Sequence, residues 1–206
     1  MNHKKRIAVI TEVGVFSGLS VLLYYLRFPL PFLFPGFLQI QFSALPIVIA
    51  GFALGPKLGL LVLVIKTIIC IPFTTTMGVG DLADFLINLV YLLITSTIYL
   101  KNKTKKTAFK SLIYGSIGWL IVSALANYFI LVPFYIQLFM KGDVDVFVTA
   151  CRIVPFLTKD NYQTMYVLFA AIPFNMIIST VVSFVTFVVY KRISQALDRF
   201  EGEQNS

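Results

Sequence analysis

Histidine is almost missing from this chain: the only one, His3, stands in the short polar segment before the first apolar run. A metal hydrolase or a Ser–His pair therefore has no histidine to use. Cysteine is scarce too, with Cys70 inside an apolar run and Cys151 in a connection. Two thiols so placed make neither a disulfide framework nor a metal site. Charge is low: 13% of the residues are charged against 58% apolar, and the mean hydropathy is +0.88. A chain of 206 residues this poor in polar surface cannot cover a water-soluble globule. It is an integral membrane protein. Only 9 acidic residues offset 17 Lys and Arg. The basic residues cluster between hydrophobic segments, which is how cytoplasmic loops are retained and not how a nucleic-acid surface is built.

What the chain does have is long apolar runs. They predict an all-α integral membrane protein, a single bundle of six transmembrane helices over residues 1–206, with spans near 7–27, 42–54, 58–73, 81–100, 108–135 and 164–190. The first run follows Lys4, Lys5 and Arg6, has the length of a span and lacks a small-residue cleavage site, so it reads as a helix and not as a signal peptide. Both termini then face the cytoplasm, together with 12 of the 17 basic residues: Lys4, Lys5, Arg6, Lys57, the five lysines of Lys101–Lys110, Lys191, Arg192 and Arg199. Gly14 and Gly18, extended by Ser17 and Ser20, form a small-xxx-small face on the first span. That face suits either packing within the bundle or docking of a partner helix.

Between the first two runs lies Phe28–Pro46, FPLPFLFPGFLQIQFSALP. Pro29, Pro31 and Pro35 each remove a backbone donor, so no helix continues through it. Its Phe and Leu content is too high for a solvated loop, and it reads as an apolar lid folded back onto the protein. Gln39, Gln41 and Ser43 supply hydrogen-bonding groups where the second span begins. A stiff lid with a few polar groups over an apolar space commonly closes a small-molecule site; a plain structural connection is the alternative. Lys66 lies deep in the third span and needs a carboxylate, carbonyls or a wet cavity, because a lysine there costs about 2.5–3.5 kcal/mol. Asp81 and Asp84 open the fourth span, where they suit the helix dipole or, as a metal-dependent membrane transferase would use them, a divalent ion. No second acidic cluster supports the metal. Lys141–Gln163 is the longest polar connection, and Pro173 interrupts the sixth span. Gly51–Lys57 has the wrong glycine spacing for a phosphate-binding loop, and no Ser or Thr follows the lysine. No catalytic constellation is present. The polar groups instead gather at the outer helix ends, as Gln39, Gln41, Asp84, Asn127, Tyr128 and Asn175. That pattern suits binding.

Several local strings carry a resemblance. FPLPFL (Phe28–Leu33), the step Phe42–Pro46, FALGPKLG (Phe52–Gly59), Lys66, Asp84-Phe85-Leu86, ANYFILVPFY (Ala126–Tyr135) and IPFN (Ile172–Asn175) are similar to those of the substrate-binding S components of energy-coupling factor (ECF) vitamin importers, the riboflavin-specific branch in particular. The resemblance implies a flavin held near the outer face beneath the first loop, with Phe32, Leu38, Gln39, Gln41, Ser43, Lys66, Asp84, Asn127, Tyr128, Asn175 and Ser179 as its contacts. It implies no catalytic cofactor, and association with a membrane coupling subunit and two cytosolic ATPases, reached through Gly14 and Gly18. Riboflavin-binding relatives tend to carry acidic residues where this chain has Gln41 and Ala44, and a lysine where it has Ser179. A related flavin or another vitamin is therefore the alternative ligand.

Overall fold

The computed structural model describes residues 3–74 and 76–203, with side chains described over 6–74 and 76–192. The side chains of His3, Lys4, Lys5 and Arg199 lie outside the described residues. Among the described residues nine α-helices follow the apolar runs: α1 (His3–Tyr25), α2 (Ala44–Ala53), α3 (Pro56–Cys70), α4 (Val79–Lys101), α5 (Lys105–Ala126), α6 (Val132–Phe139), α7 (Val144–Ala150), α8 (Tyr162–Tyr166) and α9 (Ile172–Glu203). A minimal antiparallel hairpin, β1 (Phe28–Pro29) with β2 (Gln39–Ile40), closes the loop between α1 and α2.

Among the described residues five stretches are long and apolar enough to cross a membrane: Arg6–Tyr25, Pro56–Phe73, Val79–Lys101, Lys105–Phe139 and Tyr162–Arg192. The expected second span is different. α2 has 10 residues, which at 1.5 Å per residue is about 15 Å, half the hydrocarbon thickness. It is apolar on every side because every side is covered: all but Leu45 and Ala53 are buried among α1, α3, α4 and α9. The turn into α3 rests on Gly55, whose φ of 95° suits glycine, and on Pro56 at the first helical position. Gly51 and Gly59 bring the two helices together; a Cβ on Gly59 would stand 3.0 Å from the Gly51 Cα.

Pro133 and Pro173 do not interrupt their helices. Each is preceded by a single π-turn, Asn127–Leu131 and Val167–Ala171, in which Val132 N–H reaches the Asn127 carbonyl and Ile172 N–H the Val167 carbonyl. Widening the turn accommodates the proline ring and its missing donor. It also releases a carbonyl, and that of Tyr128 accepts a hydrogen bond from Gln163 Nε2. The connection 141–163 is likewise more structured than its polarity predicts, since it contains α7, with Phe147 and Cys151 fully buried. Its burial pushes the Cys151 thiol up to about 12.

Apolar packing accounts for the interior. Val48 and Phe52 of α2, Tyr91 of α4, Trp119 of α5 and Val182 of α9 meet in one cluster. At the lysine-rich end Phe52 stacks on Tyr99 at 4.4 Å, with Tyr190 edge-on to both. The end carrying the hairpin, α7 and the π-turns holds the cavity.

Candidate functional site

The lid is held by its own backbone before it meets anything else. Phe28 pairs with Ile40 and Pro29 with Gln39, while Leu33 and Phe34 N–H both reach the Leu30 carbonyl and Leu38 N–H that of Pro35. This compact fold turns two rings inward. Phe34 meets Phe174 edge-on at 5.3 Å. Phe37 enters a nest of rings, 5.4 Å from Tyr135, 5.9 Å from Tyr166 and 6.2 Å from Phe147, tilted 32–36° to each.

Beneath Phe37 and Leu38 opens a cavity of about 330 Å³. Its aromatic side is made by Phe37, Tyr135, Phe139, Phe147 and Tyr166, and its polar side by Gln39, Gln41, Asp81, Asp84 and Asn127, with Arg27 and Thr76 nearby. A smaller chamber of about 130 Å³ adjoins it across Gln41, Asp84, Asn127 and Phe174, and adds Ser43, Ala44, Trp119 and Asn175. The size and the mixture of apolar wall with a few convergent polar groups match a small-molecule site.

The polar side is a connected network. Lys66, 1% exposed, lies 2.5 Å from Asp84 Oδ2, and Gln41 Nε2 donates to Asp84 Oδ1 at 2.8 Å. Ser43 Oγ donates to Gln41 Oε1, and Ser20 Oγ to the Ser43 carbonyl. Beside this chain, Tyr24 OH donates to Asp81 Oδ1 at 2.6 Å and accepts from Arg27 Nη1 at 3.2 Å. The Lys66 ammonium lies 4.6 Å and the Arg27 guanidinium 4.9 Å from the centre of the Tyr24 ring. Two cations and two carboxylates thus balance around one tyrosine. Asp81 and Asp84 bond Tyr24, Gln41 and Lys66, which answers the lysine's need for a carboxylate. Among the described residues no three His, Cys, Asp or Glu side chains gather at one point.

Of the residues singled out from the sequence, Leu38, Gln39, Gln41, Asp84 and Asn127 line the main cavity, and Ser43 and Asn175 the inner chamber. Both asparagines already bond to the protein. Asn127 Nδ2 donates to the Ser123 carbonyl and its Oδ1 accepts from Tyr166 OH; Asn175 Nδ2 donates to the Ala171 carbonyl and its Oδ1 accepts from Trp119 Nε1. An amide has two donors and two lone pairs, so each retains capacity toward the cavity.

Four expected contacts fall elsewhere. Phe32 is 70% exposed on the outside of the lid. Lys66 stands behind Asp84, Tyr128 packs on Phe129, and Ser179 is buried with its hydroxyl on the Met176 carbonyl; none of the three lines either cavity. On α1, Gly14 and Gly18 face outward with nothing within 4 Å of where a Cβ would stand, whereas Ser17 and Ser20 are buried. The four small residues therefore do not form one face. Sequence reasoning missed Tyr24, Phe37, Tyr135, Phe147 and Tyr166. Phe37 sat in the lid and Tyr135 in a quoted string, but nothing linear marked Phe147, in a connection read as polar, or Tyr24 as the centre of a charge cluster.

Comparison with known proteins gives a consistent picture. The profile of the family described as ECF transporter, substrate-specific component, matches residues 8–190. The Riboflavin transporter RibU of Staphylococcus aureus (strain TCH60) is 30% identical over 199 residues, 97% of this chain and 95% of that protein. The Riboflavin transporter FmnP of Bacillus subtilis (strain 168) is 26% identical over 197 residues, 94% of this chain and 96% of that one. A solved structure described as "Structure and mechanism of the S component of a bacterial ECF transporter" superposes with a TM-score of 0.70 at 29% identity, covering 93% of this chain and 98% of that chain.

Proposed function

The chain belongs to the substrate-specific components of ECF transporters, multi-pass membrane subunits that bind a transported molecule and are not enzymes, and on that premise we propose that its ligand is riboflavin or a closely related flavin. The observation that carries the assignment is the cavity under Phe37: tilted aromatic rings on one side, amides and paired carboxylates on the other. An isoalloxazine ring is planar and stacks on such rings. A ribityl chain presents hydroxyls that Gln39, Asn127 and Asn175 can bond. The relatives named as riboflavin transporters in S. aureus and B. subtilis support the same ligand. Flavin fluorescence titrated against the purified chain tests this; a flavin that keeps its full fluorescence at micromolar protein overturns it.

In this reading residues 1–206 form one membrane domain of six helices, α2 being a short segment that the lid completes. The lysine-rich end, with Lys57, Lys101–Lys110, Lys191 and Arg192, faces the cytoplasm, a reading that the clustering of basic residues supports. The ligand then enters from outside, past the lid. Delivery depends on a transmembrane coupling subunit and two cytosolic ATPase subunits. The outward, unfilled surface at Gly14 and Gly18 is the place on α1 where a partner helix can approach closely.

A further inference from the structure

A second concavity lies on the outer, apolar side between α5 and α9. It is a groove of about 380 Å³ whose rim is exposed and apolar, made by Phe109, Ile113 and Ile117 of α5 and Phe184 of α9. Its lining runs along α5 from Phe109 to Leu120, about 16 Å of helix and so roughly one leaflet of hydrocarbon. At the lysine-rich end the groove meets another pocket of about 330 Å³, with Phe187 belonging to both. Among the described residues that pocket is lined by three cations, Lys105, Lys191 and Arg192, and by no carboxylate. The Lys105 ammonium sits 5.7 Å from the centre of the Phe187 ring, at the junction.

We propose that this pair of pockets binds one anionic glycerophospholipid, with the phosphate on Lys105, Lys191 and Arg192 and one acyl chain in the Phe109–Phe184 groove. The charge, the length and the order of the two parts all fit that ligand. A groove one leaflet deep that ends in a basic pocket at the level of the headgroups has the polarity of a phospholipid. A solvent-facing anion would have no use for the groove, and a zwitterionic lipid would gain less from three clustered cations. The hydroxyls of Ser116 and Ser183 do not argue for a polar guest. They bond to each other at 2.9 Å, and Ser183 to Tyr91 OH at 2.8 Å, so the floor is satisfied from within.

The probe is a nanodisc containing equal parts of phosphatidylglycerol and phosphatidylcholine, from which the full chain is released and weighed intact with its retained lipid. The expected result is one retained phosphatidylglycerol. Neutralising the pocket with K105Q, K191Q and R192Q together should lower its preference over phosphatidylcholine by on the order of tenfold or more, since each basic residue at an anionic surface contributes about fivefold. Filling the groove with Thr180→Trp, at an exposed position on its wall, should reduce retention of both lipids. Flavin quenching by the same variants reports that they fold. Equal retention of the two lipids by the unmodified chain, or an unchanged preference in the triple variant, overturns the proposal. So does a photoreactive residue at Phe184 that crosslinks a protein in place of lipid.

Discussion

Lys66 Nζ lies 2.5 Å from Asp84 Oδ2, joining α3 to α4 through an ion pair whose lysine is 1% exposed. The other oxygen of that carboxylate accepts from Gln41 of the lid. One side chain thus neutralises a buried cation and anchors the cover of the cavity.

Asp84→Ala leaves that lysine buried and unpaired, and breaking such a pair costs about 3–5 kcal/mol. The expected result is a clear fall in unfolding temperature. Lys66→Met combined with Asp84→Leu should recover most of it, because an apolar pair of similar volume removes the stranded charge. Flavin affinity should stay reduced in the double variant, since Gln41 has lost its acceptor. Thermal unfolding with and without flavin separates the two effects; full recovery of both would remove Asp84 from the site.

The lid predicts a contrast between two phenylalanines. Phe37 lies among Tyr135, Tyr166 and Phe147, whereas Phe32 is 70% exposed on the far side. Phe37→Ala should weaken flavin binding by on the order of tenfold or more, the loss of one buried aromatic contact and its packing. Phe32→Ala should leave the affinity unchanged. Equal effects would place the ligand outside the cavity described here.

Asn127 and Asn175 bond the backbone one turn earlier and a neighbouring ring group. If their remaining amide groups also hold the flavin, Asn127→Leu or Asn175→Leu should weaken binding by about tenfold, the worth of a polar contact left unmade. Far-ultraviolet circular dichroism of the apoprotein should be unaltered. Wild-type affinity in both variants would confine them to helix packing and the π-turns.

Gly14 and Gly18 face open space, so a larger side chain there meets nothing within the chain. Gly14→Val and Gly18→Val should therefore preserve flavin binding by the isolated subunit. Uptake into cells that contain the energising subunits should be lost, because the partner helix can no longer approach closely. Binding lost together with uptake would place these glycines inside the bundle after all.

Much of this protein was legible along the chain wherever the signal is local. Apolar runs, lysine clusters and the prolines of the lid each act over a few residues, and they gave the membrane class, the helix positions and the non-helical cover. Quoted strings gave the family, and the polar ends of the helices gave Gln39, Gln41 and Asn127. The start of α2 was partly hidden, because Phe42 before it is as apolar as the helix itself. The rest depended on distance in space and not in sequence. Asp84 is 18 residues from Lys66 and 43 from Gln41, and Tyr24 is 57 from Asp81. Only packing shows that Lys66 pairs with Asp84, that the Ser179 hydroxyl bonds the Met176 carbonyl, and that Phe147 from a polar connection lines the cavity. A side chain's role is set by what surrounds it, and in a helical bundle those surroundings come from other helices whose rotation no single run of residues encodes.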